Sequence, residues 1–182
     1  SPLTAPLAAA TAPLAAPLAA AAAPAAAAPL AAATAPLAAP FDWQGSQEYQ
    51  CPALTAVVTT LADNPKSPKA LNCLGEFFLS QGLDWDPLLQ RPGADTLAGS
   101  RDLFAGQQRS RLDWYQQVIA NPKAAKEEKA YALYRAINCY APSGNNSCGN
   151  QEIPLSQRKG WFNTLKRQYG TSQWAKQLKY YW

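Results

Sequence analysis

Residues 123–140, KAAKEEKAYALYRAINCY, carry the clearest helical pattern of the chain. Charged side chains crowd the first seven positions, and Glu127 and Glu128 suit the positive end of a helix dipole. The apolar side chains then recur at the spacing of one helix face: Ala130, Leu133, Tyr134, Ile137 and Tyr140. We therefore predict a helix over 123–140 that packs one face into a hydrophobic core.

Helices are also predicted on both sides of this segment. A helix over 109–120 should end at Asn121-Pro122, because proline disfavours the helical conformation of the residue before it. A loop rich in Gly and Asn follows over 141–152. Beyond it, helices over 156–169 and 171–182 are separated by Gly170, which we expect to be a left-handed helix stop.

The part of the chain before residue 109 begins with two more helices. The first is predicted over 52–62, and the second should begin at Ser67-Pro68 and end near Gly82. Together they would form an antiparallel hairpin. Residues 83–108 have an irregular pattern, with a short helix expected near 100–107. The fold class predicted for the domain 41–182 is therefore all-α, built from irregular helical hairpins.

Residues 1–40 differ sharply from this domain, since they contain only Ala, Pro, Leu, Thr and Ser. The twelve residues PLAAATAPLAAP occur at 6–17 and again at 29–40, which is typical of low-complexity sequence. Eight prolines oppose a continuous helix, so a semi-extended linker is the first interpretation. Two alternatives remain: a membrane span, or short helical turns formed on a partner through a row of leucines, Leu3, Leu7, Leu14 and Leu18.

Four cysteines fall into two local pairs, Cys51 with Cys73 and Cys139 with Cys148. An even count with such spacing favours disulfides in this pairing, although four cysteines permit three connectivities. A zinc site and reduced core thiols are the alternatives; the chain has no CxxC pair and no histidine to complete a zinc site. Disulfides would place the protein in an oxidising compartment.

The composition excludes several chemistries. The absence of His removes Ser/His/Asp and Cys/His catalysis and an imidazole base, and no cofactor is expected. The absence of Met leads us to expect a processed, exported protein, located in the periplasm, at the outer membrane or outside the cell. Asp84 and Asp86 flank Trp85 and could serve a glycan-cleaving acid/base pair, which makes an enzyme the least favoured alternative.

Residues 153–182 carry six cations and no acidic residue, together with seven aromatic side chains. The candidate binding residues in this segment are Arg158, Lys159, Trp161, Lys166, Arg167, Trp174, Tyr180, Tyr181 and Trp182. The competing interpretation places Trp161, Phe162, Leu165, Tyr169, Trp174 and Leu178 in the core, with the cations in solvent. A protein is the first partner to expect, an anionic glycan or lipid head group is the second, and nucleic acid is not expected.

Two segments carry a family resemblance. Residues 128–140, EKAYALYRAINCY, are similar to a helix of tetratricopeptide-type repeats. Residues 162–175, FNTLKRQYGTSQWA, resemble the repeat pattern F-x-x-L-x-x-x-Y-[PG]-x-S-x-x-A of periplasmic repeat proteins and outer-membrane assembly lipoproteins. The resemblance covers about sixty residues and implies a non-enzymatic scaffold. The expected function is an adaptor or structural subunit that binds other proteins of an envelope assembly through its helical hairpins and through residues 1–40. The alternative is a module that binds a glycan or another anionic envelope polymer through the basic, aromatic C-terminus.

Overall fold

The structure, a computed structural model, describes residues 39–83, 109–140, 142, 144–149 and 151–182. These residues contain six α-helices and no β-strand, which confirms the predicted all-α fold class. The Ala/Pro segment up to residue 38, the helix predicted near 100–107 and the pair Asp84 and Asp86 lie outside the described residues.

The helices follow the chain in a simple order. A short 3-10 helix, Ala39–Asp42, comes before the first α-helix. The six α-helices are α1 (Leu54–Asp63), α2 (Pro68–Gln81), α3 (Arg111–Ala120), α4 (Lys126–Ile137), α5 (Leu155–Gln168) and α6 (Gln173–Gln177). Each predicted helix over the described residues is present, although several boundaries differ from the predicted ones.

Helix α4 lies at the centre of the domain, because it contacts α2, α3, α5 and α6. Half of its twelve residues are buried: Ala130, Tyr131, Ala132, Leu133, Ala136 and Ile137. Three of these are alanines, whose small side chains let neighbouring helices approach closely on more than one side. The segment with the strongest helical pattern is therefore the element around which the others pack.

Local signals determine where several helices begin and end. Helix α3 begins with a capping box, in which Ser110 and Asp113 each bond the other's backbone amide. Helix α2 has Pro68 as its first residue and ends at Gly82, whose φ of 63° lies in the left-handed region that favours glycine. These three helix ends lie within two residues of the predicted ones.

Helix α4 is shorter than predicted at both ends. It begins at Lys126 because the side chain of Asn121 accepts a hydrogen bond from the amide of Lys123, at 2.9 Å, and holds the chain in a turn. It ends at Ile137, where the amide of Tyr140 donates to the carbonyl of Ile137 in another turn.

The helix predicted over 171–182 is wrong in extent, since α6 covers only Gln173–Gln177. Leu178 leaves the helix with φ −75° and ψ 118°, and its buried side chain joins the core. The side chain of Lys166 donates hydrogen bonds to the carbonyls of Ala175 and Leu178. These bonds supply donors to carbonyls at the C-terminal end of this short helix.

The prediction that Gly170 is a left-handed stop is also wrong, because Gly170 is not among the glycines with positive φ. Glycine is required at this position for a steric reason instead. A Cβ atom at this position would lie 2.6 Å from the carbonyl oxygen of Lys166, which is too close for any side chain.

Two disulfides cross-link the described residues, and they join the cysteines in the predicted pairs. Cys51 and Cys73 tie the segment before α1 to α2, with their Cα atoms 5.7 Å apart. Cys139 and Cys148 bracket the loop after α4, with their Cα atoms 5.2 Å apart. All four cysteines are oxidised, which fits an oxidising, exported environment.

Candidate functional site

The predicted binding residues come from the last thirty residues, and the structure separates them into buried and exposed groups. Trp161 is 7% exposed and Trp174 is 1% exposed. The indole of Trp174 packs edge-on against Tyr131 and donates its Nε1–H to Glu127 at 2.7 Å. Both tryptophans therefore belong to the core, as the competing interpretation of the sequence expected, and neither forms an open binding platform.

Two of the predicted cations are also engaged inside the domain. Arg158 is 8% exposed, lies over the ring of Tyr140 at 3.9 Å and donates its Nε–H to the carbonyl of Ile153. Lys166 is half-buried and bonds the carbonyls at the end of α6. Two further predicted cations, Lys159 and Arg167, are exposed.

The last three residues alternate between the core and solvent. Leu178 and Tyr181 face inward, and Tyr181 packs against Phe162 with ring centroids 5.1 Å apart. Tyr180 is 63% exposed and Trp182 is 43% exposed, and their rings contact each other at 5.6 Å. We call this pair the Tyr180/Trp182 surface. Leu178 and Tyr181 therefore anchor the terminal segment on the core side, and the rings on either side of Tyr181 are left in solvent.

Polar side chains missing from the sequence prediction form two buried networks. In the first, the hydroxyl of Tyr49 donates to the carboxylate of Glu128, and Asn72 donates to the same carboxylate at 2.8 Å. In the second, the hydroxyl of Tyr131 donates to Glu76, which forms an ion pair with Arg135 at 3.0 Å. The rings of Tyr49 and Tyr131 stack and join the two networks.

The ionisable groups of these networks have a structural role. Burial and the bonded carboxylate of Glu128 raise the pKa of Tyr49, and burial likewise raises the pKa of Tyr131. Burial lowers the pKa of Lys69, whose ammonium lies 3.6 Å above the ring of Tyr49. Because each carboxylate is held by donors from other helices, the networks fix the relative positions of α2, α4 and the segment around Tyr49.

One sequence signal could have indicated both networks. Asn72 and Glu76 lie four residues apart in α2, so they share a helix face with the buried Cys73 nearby. A polar pair at this spacing inside an apolar helix indicates partners from another element. The partners themselves are far away in sequence: Glu128 and Tyr131 lie about 55 residues along the chain.

The described residues contain neither a cluster that could hold a metal ion nor a helix that could span a bilayer. No group of three or more His, Cys, Asp or Glu side chains is placed to hold a metal ion there. Among the helices of the described part, none has the length and apolar character needed to cross a bilayer.

Comparison of the chain with protein-family models, with curated proteins and with solved structures gives no match. The resemblance to tetratricopeptide-type repeats therefore stays a prediction.

Proposed function

We propose that the domain is a non-enzymatic adaptor of an exported assembly, and that it binds another protein chain through the Tyr180/Trp182 surface. The observation that carries this proposal is the exposure of two large aromatic rings in mutual contact. Exposed tyrosine and tryptophan are enriched at protein interfaces, where they often supply most of the binding energy.

The anchoring of this surface supports the proposal. Leu178 and Tyr181 are fixed on the core side, so Tyr180 and Trp182 are presented in a defined arrangement with little freedom to lose on binding. Exposed Lys176 and Lys179 lie next to the pair in sequence. A partner surface with an apolar centre and acidic edges would complement this combination.

The compartment is part of the same proposal. Two disulfides fit an exported protein, and we place it in the periplasm, at the outer membrane or outside the cell. The tetratricopeptide-like segments support a scaffold role rather than catalysis.

An anionic glycan or lipid head group is the competing partner. The burial of Trp161 and Trp174 removes two of the aromatic platforms on which this alternative rested. The engagement of Arg158 and Lys166 within the domain removes two of its cations. The exposed cations Lys159, Arg167, Lys176 and Lys179 would attract an anionic surface, and the salt dependence of binding distinguishes such a surface from a protein partner.

The proposal is tested by site-specific photocrosslinking in the cells that make the protein. A benzoylphenylalanine in place of Tyr180 should give a discrete protein adduct that mass spectrometry identifies. The same residue in place of Val58, which is 54% exposed on α1, is the matched control. The purified partner should then bind the wild-type chain at least tenfold more tightly than the Trp182→Ala variant, as expected for a central aromatic contact.

Two results would defeat the adaptor proposal. One is equal crosslinking at positions 58 and 180. The other is salt-dependent binding to heparin or to phosphatidylglycerol vesicles. This binding would have to disappear when the four exposed cations are replaced by Gln and persist in the Tyr180→Ala/Trp182→Ala variant, because that pattern is the one expected of a polyanion-binding module.

A further inference from the structure

A groove runs along one face of helix α3. Trp114, Gln117 and Ala120 line it at intervals of three residues, which is the spacing of a single helix face. The groove has two parts, one of about 260 Å³ near the first turns of α3 and one of about 400 Å³ at the end of the helix, and Gln117 lines both. Residues of α1, α2 and the turn between them contribute further lining: Leu61, Pro65, Lys66, Leu71 and Leu74.

The floor of the first part is apolar. Leu71 and Trp114 are 4% and 7% exposed, so they belong to the core and present only a small apolar area to the groove. Two half-buried leucines of α1 and α2 lie beside them. The Nε2 of Gln117 donates to the carbonyl of Asp113 at 3.3 Å, which leaves its Oε1 to accept from a peptide N–H. The groove therefore suits apolar side chains carried on an extended peptide backbone.

The charged residues that line the groove are all cations. Arg109 lines the first part, Lys66 and Lys123 line the second, and all three side chains are exposed. Within the described part of the chain, no acidic residue lines either part of the groove, and none forms an ion pair with these three cations. Their positive charges are therefore available to a ligand.

Asn121 fixes the positions of the two lysines relative to each other. Its Nδ2 donates to the carbonyl of Lys66 at 3.4 Å, and its Oδ1 accepts from the amide of Lys123 at 2.9 Å. The turn after α1 is thus tied to the turn after α3. Because both lysines line the same pocket, their charges act together on a carboxylate at this end of the groove.

The cations lie towards opposite ends of the groove, because Arg109 precedes α3 and Lys123 follows it. The ten residues of α3 span about 15 Å along the helix axis. An extended peptide rises about 3.3 Å per residue, so about five residues cover this length. A ligand that matches the groove has acidic residues about four positions apart and apolar residues between them.

We propose that this groove binds an extended segment of a partner protein, with an apolar centre and an acidic residue at each end. One carboxylate pairs with Arg109, the other pairs with Lys66 and Lys123, and the apolar centre covers the leucines and Trp114. The groove shares no residue with the Tyr180/Trp182 surface, so neither proposal depends on the other.

The test is a titration of the full ¹⁵N-labelled chain at low ionic strength, followed by NMR. Three capped pentapeptides are compared: acetyl-Glu-Leu-Pro-Leu-Glu-amide, the same peptide with Gln in place of both Glu, and pentaglutamate. The first peptide should shift the indole N–H of Trp114 and the amides of Ala120 and Lys123. It should bind about tenfold more tightly than the Gln peptide, as expected from exposed ion pairs at its two ends. Pentaglutamate lacks the apolar centre and should bind more weakly than the first peptide.

Two double variants separate the groove from charge in general. Lys66→Gln/Lys123→Gln should weaken binding of the first peptide about fivefold and change binding of the Gln peptide by less than about twofold. The matched control is Lys159→Gln/Arg167→Gln, which removes the same charge from exposed positions of α5, a helix that contacts α4 and α6. This control should leave the affinity for all three peptides unchanged.

A third variant tests the shape of the groove. Ala120 is exposed at the end of α3 and lines the groove, so Ala120→Trp should fill that part and weaken binding of both leucine-containing peptides. The lysines also lie beyond the C-terminal ends of α1 and α3, where a cation offsets the helix dipole. A lower urea midpoint for Lys66→Gln/Lys123→Gln without binding of any peptide would show that this is their role and would overturn the proposal. Equal affinity for the Glu and Gln peptides, equal losses in the two double variants, or pentaglutamate that binds as tightly as the first peptide would also overturn it.

Discussion

Glu76 is a residue on which the core depends, because it is 2% exposed and compensates the charge of Arg135. Removing Glu76 takes away the buried partner of Arg135 and leaves only the exposed carboxylate of Glu48, which compensates the charge less well. We expect Glu76→Gln to lower the free energy of unfolding by about 3 kcal/mol. Glu48→Gln is the control, since Glu48 pairs with the same Arg135 at 2.9 Å from an exposed position and should cost about 1 kcal/mol or less. Equal urea midpoints for the two variants would contradict this assignment.

Two glycines of the C-terminal region should respond to alanine with opposite signs. At Gly170 the new Cβ would meet the carbonyl oxygen of Lys166 at 2.6 Å, so Gly170→Ala should destabilise the domain by about 1–3 kcal/mol. Gly160 lies inside α5 with open space around it, and Gly160→Ala should stabilise by about 0.5–1 kcal/mol, as alanine is the better helix former. Thermal unfolding of both variants measures the difference, and a shift of the same sign in both would count against the steric role of Gly170.

At the scale of single helices, the elements that were predictable are those whose ends depend on neighbouring residues. Ser67-Pro68 and Asn121-Pro122 act within a turn or two of the chain, and the structure begins α2 and ends α3 at these signals. The long apolar pattern around Leu133 was equally reliable, because α4 contacts four other helices and its periodicity reflects that burial.

The end of α6 could not be predicted in this way, because a distant side chain determines it. Residues after Gln177 have a composition that suits a helix, but Lys166 from α5 satisfies the carbonyls of Ala175 and Leu178. The chain is then free to extend and to bury Leu178. No sequence pattern within 171–182 predicts the contact with Lys166.

The Lys166→Met variant tests this account of α6. Methionine keeps an apolar stem of similar length and removes the donor, so the terminal segment should lose about 2 kcal/mol of local stability, the value of hydrogen bonds to a charged group. Hydrogen exchange of the Leu178 amide, which bonds the carbonyl of Trp174, should accelerate accordingly. Lys176→Met is the control, because Lys176 is exposed. Unchanged exchange in Lys166→Met would mean that packing of Leu178 alone holds the segment.

At the scale of the whole molecule, the candidate surfaces were only partly predictable. The aromatic run at the end of the sequence indicated a surface, and Tyr180 and Trp182 are exposed there. Which cations remain in solvent depended on contacts made across the fold, such as Arg158 with Tyr140. The partners within the buried networks could not be predicted for the same reason, since Tyr49 and Glu128 are 79 residues apart.

These networks make the whole domain sensitive to alkali. Burial raises the pKa of Tyr49 and of Tyr131, and it raises the pKa of Tyr115 to about 12. Their pKa in the unfolded chain is about 10, so the neutral hydroxyls stabilise the fold fully below that pH. As the pH rises from about 10 towards 12, the unfolded chain releases these protons first, and the stability contributed by Tyr115, on the order of 2–3 kcal/mol, is lost.

We therefore expect alkaline unfolding to coincide with the ionisation of the buried tyrosines. The tyrosinate absorbance that comes from the buried tyrosines should develop together with the loss of helical circular dichroism. Tyr115→Phe removes one buried ionisable group and should move the unfolding midpoint to higher pH, whereas Tyr180→Phe changes an exposed ring and should leave it in place. If the tyrosinate absorbance of Tyr49, Tyr115 and Tyr131 developed while the helical circular dichroism stayed intact, the buried hydroxyls would not stabilise the fold in this way.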